Sequence, residues 1–274
     1  MDYEDIIYEV EGSTAIITLN RPEKLNAWTA AMDRSVRDAL KRSDADAGVR
    51  AVIITGAGRG FCAGADMGML NSIADAGGEG QRAPDPDTGS IEDNYRQRYS
   101  FPLATHKPLI AAVNGPAAGL GLILSLYCDM RFASDRARFG TAFSSLGLIA
   151  EHGISWTLPR AVGIGNALDL LYSARVIDAD EALRMGLVQR VYPHDELLER
   201  TKEYTEYLAR RASPRAMAVT KRLVWNAQFQ DLAEAIRKAN VAMAEAVAGP
   251  EFKEGLNAFA EKRDPRFEGL SVTD

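Results

Sequence analysis

Thr55-Gly-Ala-Gly-Arg-Gly-Phe-Cys-Ala-Gly-Ala-Asp66 and Pro108-Leu-Ile-Ala-Ala-Val-Asn-Gly-Pro-Ala-Ala-Gly-Leu-Gly121 are the two stretches that decide the reading of this chain. Each follows a short run rich in β-branched residues, 51–55 and 109–113, that reads as a buried strand. Each therefore delivers a series of backbone N–H groups to the end of a strand. The second runs into an apolar helical segment over 120–128, whose first N–H groups have no intrahelical partner. Two small-residue turns of this kind can hold one carbonyl oxygen between them and stabilise negative charge on it. The expectation is an enzyme that makes oxyanions.

Outward from these turns, residues 6–10 and 14–19 alternate as strands about Gly12-Ser13, a hairpin. A helical stripe runs over 29–43 through Met32, Val36, Ala39 and Leu40. Residues 74–90 carry four Gly, two Pro and several acids and read as a surface loop. Met130-Arg-Phe-Ala133 reads as a further strand. Beyond about Ile154 helical spacing dominates, over 167–173, 178–185, 195–211, 214–226, 231–247 and 250–262, several behind Asp or Pro starts. Strands with interleaved helices, then a helix-rich last third, describe an α/β core with a helical extension. Residues 1–195 are expected to form the core, and 196–274 a helical region of the same structural unit.

Composition narrows the function classes. The 274 residues are 46% hydrophobic and 26% charged, with a net charge of −6, so no basic stripe is available for nucleic acid. The start, Met1-Asp-Tyr-Glu-Asp, lacks the basic region of a secretory signal, and no apolar run approaches the roughly 18 residues of a membrane span. Cys62 and Cys128 stand alone, without metal-ligand spacing, and read as buried thiols of a reducing compartment. The expectation is a cytoplasmic protein with no metal. The glycines at 56, 58 and 60 have G-x-G-x-G spacing without the downstream acid of a dinucleotide fold, and that reading is rejected.

Arg21-Pro-Glu-Lys-Leu-Asn-Ala27, Phe61-Cys-Ala-Gly-Ala-Asp66, Lys107-Pro-Leu-Ile-Ala-Ala-Val-Asn-Gly115, Cys128-Asp129, Leu158-Pro-Arg-Ala-Val-Gly163 and Ala182-Leu-Arg-Met-Gly-Leu-Val188 together resemble the enoyl-CoA hydratase/isomerase (crotonase) family. The resemblance runs from about Tyr8 to Phe267, with the motifs in order. It implies a spiral of ββα turns around an acyl-CoA thioester site, and C-terminal helices that build a homotrimer or a dimer of trimers. Coenzyme A enters as the substrate's carrier, and no separate cofactor is implied. By motif alignment the two oxyanion-hole N–H donors fall on Ala63 and Leu120, beside Gly64 and Gly119. Lys24, Leu25 and Ala27 match the stretch that cups the CoA adenine. Phe259 and Lys262 fall where family members touch CoA from a neighbouring subunit.

The chain departs from the family at one decisive point. The two glutamates that hydratases use fall on Ile123 and Phe143. A different acid stands eight residues beyond Phe143, in Gly147-Leu-Ile-Ala-Glu-His-Gly-Ile154. Glu151 resembles in position the working aspartate of dienoyl-CoA isomerases and 4-chlorobenzoyl-CoA dehalogenases. It is taken as the catalytic carboxylate, although an acid there could also cap the helix starting near Ile154. One carboxylate suffices to move a proton between two carbons, so double-bond isomerisation is favoured. Hydration by one glutamate, hydrolysis and silent acyl-CoA binding stay open as alternatives. His152 and Asp66 are auxiliary candidates, with packing and helix capping as their plain roles. Phe143, Trp28 and Trp156 read as core or acyl-pocket wall, and Asp129 as the end of a buried helix. Lys24, Lys262 and Arg59 either meet CoA phosphates or are solvated charges.

Overall fold

The chain begins with a hairpin, β1 (Ile6–Glu11) and β2 (Thr14–Leu19), paired antiparallel about Gly12 at φ 56°. The computed structural model describes residues 3–76 and 90–273. Most of the loop expected over 74–90 lies outside the described residues. Helix α1 (Ala30–Ala45) follows, its start fixed by the Thr29 hydroxyl, which accepts the Met32 N–H at 2.9 Å. Its expected stripe of Met32, Val36, Ala39 and Leu40 is buried.

Then comes a repeating unit. Strand β3 (Ala51–Gly56) leads to single bridges at Cys62 and Ala65 and to α2 (Met67–Asp75). Strand β4 (Leu109–Val113) leads to β5 (Pro116–Ala118) and α3 (Leu120–Leu126). Strand β6 (Met130–Ser134) leads to β7 (Arg138–Gly140) and α4 (Ile154–Val162). The long strands pair in parallel in one sheet, while the short ones pair in a second, through Cys62–Ala117 and β5–β7. This is the ββα spiral that the resemblance implies. The three-residue strands β5 and β7 are too short to show periodicity, and the sequence reading passes over them.

The chain continues through α5 (Ile164–Ser173), β8 (Ile177–Asp178), α6 (Ala179–Met185) and β9 (Arg190–Tyr192). The large sheet has the order β1-β2-β3-β4-β6-β9 and the small one β5-β7-β8. β3 lies between two parallel neighbours and all of its first five residues are buried, which explains its unbroken apolar run. Alternation still divides it: Val52 and Ile54 face the main core, whereas Ile53 joins Ile110, Ala112, Phe132 and Leu197 on the other face.

Leu197 opens α7 (Leu197–Arg211), which starts two residues later than expected because 194–196 forms one 3₁₀ turn. This helix covers the second face of the sheet, and Thr14 Oγ1 donates to Thr205 Oγ1 at 2.7 Å beneath it. Helix α8 (Pro214–Ala227) is docked by Asp129. Its carboxylate takes Lys221 Nζ at 2.9 Å, Trp225 Nε1–H at 3.0 Å and the Leu109 N–H at 2.8 Å. Asp129 thus joins a late helix to the central strand, while α3 ends three residues before it. Helices α9 (Leu232–Ala248) and α10 (Pro250–Glu261) follow, and α9 buries no residue. Beyond α10 the chain returns to the end of α1, where the Val272 N–H reaches Asp44 O at 2.9 Å.

Candidate active site

Two buried asparagines build the first glycine turn. Asn26, in the left-handed region at φ 55°, donates from Nδ2 to Ala57 O at 3.0 Å and Gly60 O at 2.8 Å. Its Oδ1 accepts the Arg21 N–H at 2.8 Å. Asn114 accepts the Gly56 N–H at 3.1 Å and donates to Gly58 O at 3.0 Å. The residues after the glycine turn are therefore delivered from a fixed point. Neither asparagine stood out in the sequence as more than part of a motif, because their partners in the glycine turn lie 31 to 58 residues away.

The hydrogen bonds of residues 61–66 then decide which N–H groups face a ligand. Phe61 and Cys62 donate to Pro116 O, both at 3.1 Å, and Ala63 donates to Leu25 O at 2.9 Å. Gly64 O accepts from the Trp28 N–H at 2.7 Å, and the Asp66 N–H donates to Trp28 O at 3.2 Å. A parallel bridge of this form leaves the N–H of Ala65 pointing away from Trp28. Gly64 makes that reversal possible at φ 107°, a backbone conformation closed to residues with a side chain. The expectation for Ala63 is therefore corrected. Its N–H is consumed by Leu25, whereas that of Ala65 has no partner among the described residues.

On the second loop the Leu120 N–H is the first of α3 and likewise has no partner among the described residues. The preceding N–H, of Gly119, is taken by Gly140 O at 3.1 Å. The two loops touch at their glycines: a Cβ built on Gly64 would lie 3.1 Å from Ala118 O and 3.8 Å from Leu120 N. Two unpaired donors, on Ala65 and Leu120, thus meet across one seam. Leu120 itself is buried, as are Ile123 and Phe143, the two positions that the sequence resemblance aligns with hydratase glutamates.

Glu151 and His152 precede α4. Among the described residues no side chain caps this helix, and the Ile154 N–H goes to the carbonyl of Glu151 at 3.1 Å, so the capping role is not filled by the Glu151 carboxylate. That carboxylate instead meets its neighbour, with Oε2 3.1 Å from His152 Nε2. The Tyr127 hydroxyl, just past α3, donates to His152 O at 2.8 Å, and Tyr99 packs its ring edge-on against the imidazole at 4.4 Å. Tyr127 therefore ties the loop of Glu151 to α3, the helix that carries the Leu120 N–H. Burial pushes the Tyr127 phenol up to about 12 and raises Tyr99 as well, so both stay protonated. Burial likewise pushes the Cys62 thiol up to about 12, which leaves it inert as a nucleophile.

Asp66 caps α2, with Oδ1 accepting the Gly68 N–H at 2.9 Å and Oδ2 paired to Arg21 at 3.1 Å. These partners, the Gly68 N–H first, hold its carboxyl below the usual range. Both oxygens are occupied by the fold. Of the CoA-contact candidates, Lys24 is exposed at the end of a 3₁₀ turn, Leu25 adopts φ 48°, and Ala27 is buried with its carbonyl bound by Arg21. Phe259 is 86% exposed and Lys262 is exposed just past α10. No described hydrogen bond or ring contact joins either to the first group. Trp28 is buried and its indole N–H has no partner among the described residues. Trp156 stacks on Phe229 at 5.1 Å and belongs to the packing of α4 on α8, where a cleft of about 210 Å³ remains.

The profile of the enoyl-CoA hydratase/isomerase family matches residues 9–270. The chain belongs to that family. Relatives include a Rhodobacter capsulatus protein named as a probable enoyl-CoA hydratase, 37% identical over 269 residues, 98% of this chain and 100% of that one. The 1,2-epoxyphenylacetyl-CoA isomerase of Escherichia coli is 34% identical over 267 residues, 97% and 99% of the two chains. Among solved structures, the enoyl-CoA hydratase of Bacillus anthracis superposes with a TM-score of 0.82 at 33% identity, covering 97% of this chain and 100% of that one. The chain is thus an acyl-CoA enzyme by family, and its relatives' names span both hydratase and isomerase.

Proposed function

We propose that this protein moves a double bond along an acyl chain held as its CoA thioester, with Glu151 as the single proton-transfer group. The observation that carries this reading is the burial of apolar Ile123 and Phe143, which the resemblance aligns with the hydratase carboxylates, together with a Glu151 carboxylate that caps no helix. A thioester α-proton is too weakly acidic for an unassisted carboxylate. The N–H groups of Ala65 and Leu120 donate to the thioester oxygen as negative charge develops on it, each worth about 2.7–4 kcal/mol. Glu151 removes a proton from C2 of a 3-enoyl thioester, the electrons pass to the thioester oxygen, and the C3–C4 bond becomes conjugated in the dienolate. The same carboxyl returns the proton at C4, leaving the 2-enoyl isomer and a carboxylate ready for the next turn.

Hydration is the second reading, favoured by the His152 imidazole against Glu151, which could orient a water for addition at the β-carbon. The proposal includes assembly. The exposed Leu232, Ile236, Val241, Met243 and Val247 on α9 fit contact with further copies, as a homotrimer or a dimer of trimers. In such an assembly Phe259 and Lys262 would complete the CoA site of a neighbouring copy. A cytoplasmic location belongs to the same proposal.

The test is one assay read by mass-resolved chromatography in heavy-oxygen water, with trans-2- and trans-3-enoyl-CoA of medium chain. Conversion of the 3-enoyl to the 2-enoyl isomer without oxygen uptake, lost in Glu151→Gln, is expected. Heavy oxygen at the β-carbon would replace isomerisation with hydration. Free CoA would indicate hydrolysis, and tight binding without product a silent binder; either would overturn the proposal.

A further inference from the structure

Adjacent side chains rarely meet, because regular backbone turns them apart. Glu151 and His152 meet at 3.1 Å where His152 leaves the regular backbone at φ 53°, followed by Gly153 at φ 78°, two left-handed residues in succession. A histidine in this region is strained unless its surroundings hold it there. Here they do. Tyr127 Oη grips its carbonyl at 2.8 Å, and the Tyr99 ring closes one side of the imidazole. Gly153 is required as well, since a Cβ there would lie 2.1 Å from Tyr127 Oη. The pair these contacts create is not a buried structural bridge: the Glu151 side chain is 39% exposed and that of His152 24%. Partly exposed pairs of this kind add little to stability. A strained backbone, two supporting contacts and a half-open pair geometry together serve the carboxylate rather than the fold.

We infer that His152 is a positioning residue for Glu151, the approach of its Nε2 to within 3.1 Å of Oε2 leaving Oε1 to face the substrate's α-carbon. This rests on the reading of Glu151 as the proton-transfer group and adds what that reading leaves free, the choice of oxygen. An untethered carboxylate rotates about its last bonds and presents either oxygen to the substrate or to solvent. A tethered one keeps the abstracted proton on a single oxygen until the carbon that receives it comes within reach. Near-attack geometry is worth large factors in rate, and a displacement of about 1 Å can cost on the order of 100-fold. Around the pair, Tyr127 is engaged with the His152 carbonyl, and the guanidinium of Arg98 lies 5.3 Å from the Tyr99 ring centroid. Arg160 of α4 lies on the Trp156 ring.

The experiment uses exchange of the α-proton of a saturated acyl-CoA into heavy water, which needs the base and the oxyanion donors but neither isomerisation nor hydration. With the full-length protein, His152→Ala is expected to lower the exchange rate at saturation by about 10- to 100-fold with half-saturation unchanged. His152→Gln, which can offer an amide N–H to the same oxygen, is expected to recover the rate to within a few-fold. A structural role would instead lower thermal stability in both variants without that recovery. Wild-type exchange in His152→Ala, or equal loss in the Gln and Ala variants, would overturn the inference. Full exchange in Glu151→Gln would overturn the reading of Glu151 on which it rests, and so separates the two failures. Should His152→Ala fail to fold, Tyr99→Leu supplies the second test, since loosening the imidazole is expected to cost rate with binding retained; an unchanged rate there would count against the tether.

Discussion

Leu120→Pro removes one hydrogen-bond donor from the site and almost nothing from the helix. Leu120 is the first residue of α3, where proline's fixed φ suits the helix and the missing N–H has no intrahelical partner to lose. The residue before it, Gly119, sits at φ 49° and ψ −116°, outside the helical region that a following proline disfavours. The change does trim a side chain that is 94% buried, since Leu120 is only 6% exposed. Leu120→Ala makes a similar cut while keeping the N–H, at a stability cost of about 2–5 kcal/mol. The ratio of the two variants therefore isolates the donor. Loss of one oxyanion donor costs about 2.7–4 kcal/mol in the transition state, so kcat for Leu120→Pro should fall roughly 100- to 1000-fold below Leu120→Ala. Steady-state kinetics on the active substrate, with urea unfolding as the control for folding, gives both numbers. Rates within about threefold of each other in two equally folded variants would refute the assignment of the Leu120 N–H.

Three further outcomes follow from contacts elsewhere. Gly153→Ala places a Cβ 2.1 Å from Tyr127 Oη at φ 78°, and should destabilise by more than about 2 kcal/mol. Adding Tyr127→Phe should recover part of that loss, a non-additivity that denaturant unfolding would measure. Asn26→Ala deletes both bonds to Ala57 O and Gly60 O and the acceptor for Arg21, and should cost about 2–4 kcal/mol in urea unfolding, with activity falling as the turn loosens. Lys107 is buried with Nζ on the carbonyls of Ser43 and Asp46, and burial lowers it from 10.5 to about 8. Between those values the unfolded chain binds more protons, so this residue's contribution to stability rises with pH from about 8 towards 10.5 and is flat below. Urea midpoints at pH 8 and 9.5 should show that rise in the wild type and a smaller one in Lys107→Met.

The sequence held the long elements because their apolar periods are long enough to count. Met32, Val36, Ala39 and Leu40 mark α1 without ambiguity, and the unbroken run of β3 matches a strand buried on both faces. Capping signals were equally readable, as Asp66, Asp178 and Asp231 each cap the helix that follows. The site was legible as two loops and an acid, but not at the level of single N–H groups. Ala63 and Ala65 have the same residue type two positions apart, and only the Leu25 and Trp28 hydrogen bonds with the turn at Gly64 separate them. The Glu151–His152 contact was hidden for a similar reason. Nothing in Glu-His-Gly demands a left-handed histidine until Tyr127, 25 residues earlier, takes its carbonyl. Local patterns fix elements, whereas the pairing of backbone donors across distant loops is settled by tertiary structure.

In the proposed mechanism a thioester oxygen sits between Ala65 and Leu120 with Glu151 facing the α-carbon. A crystal structure with an inert saturated acyl-CoA measures this most directly. That oxygen is expected within about 3.2 Å of both backbone nitrogens, with Glu151 Oε1 directed at the α-carbon and Oε2 still beside His152. A thioester oxygen bonded to neither nitrogen, or a Glu151 carboxylate turned away from the acyl chain, would contradict it.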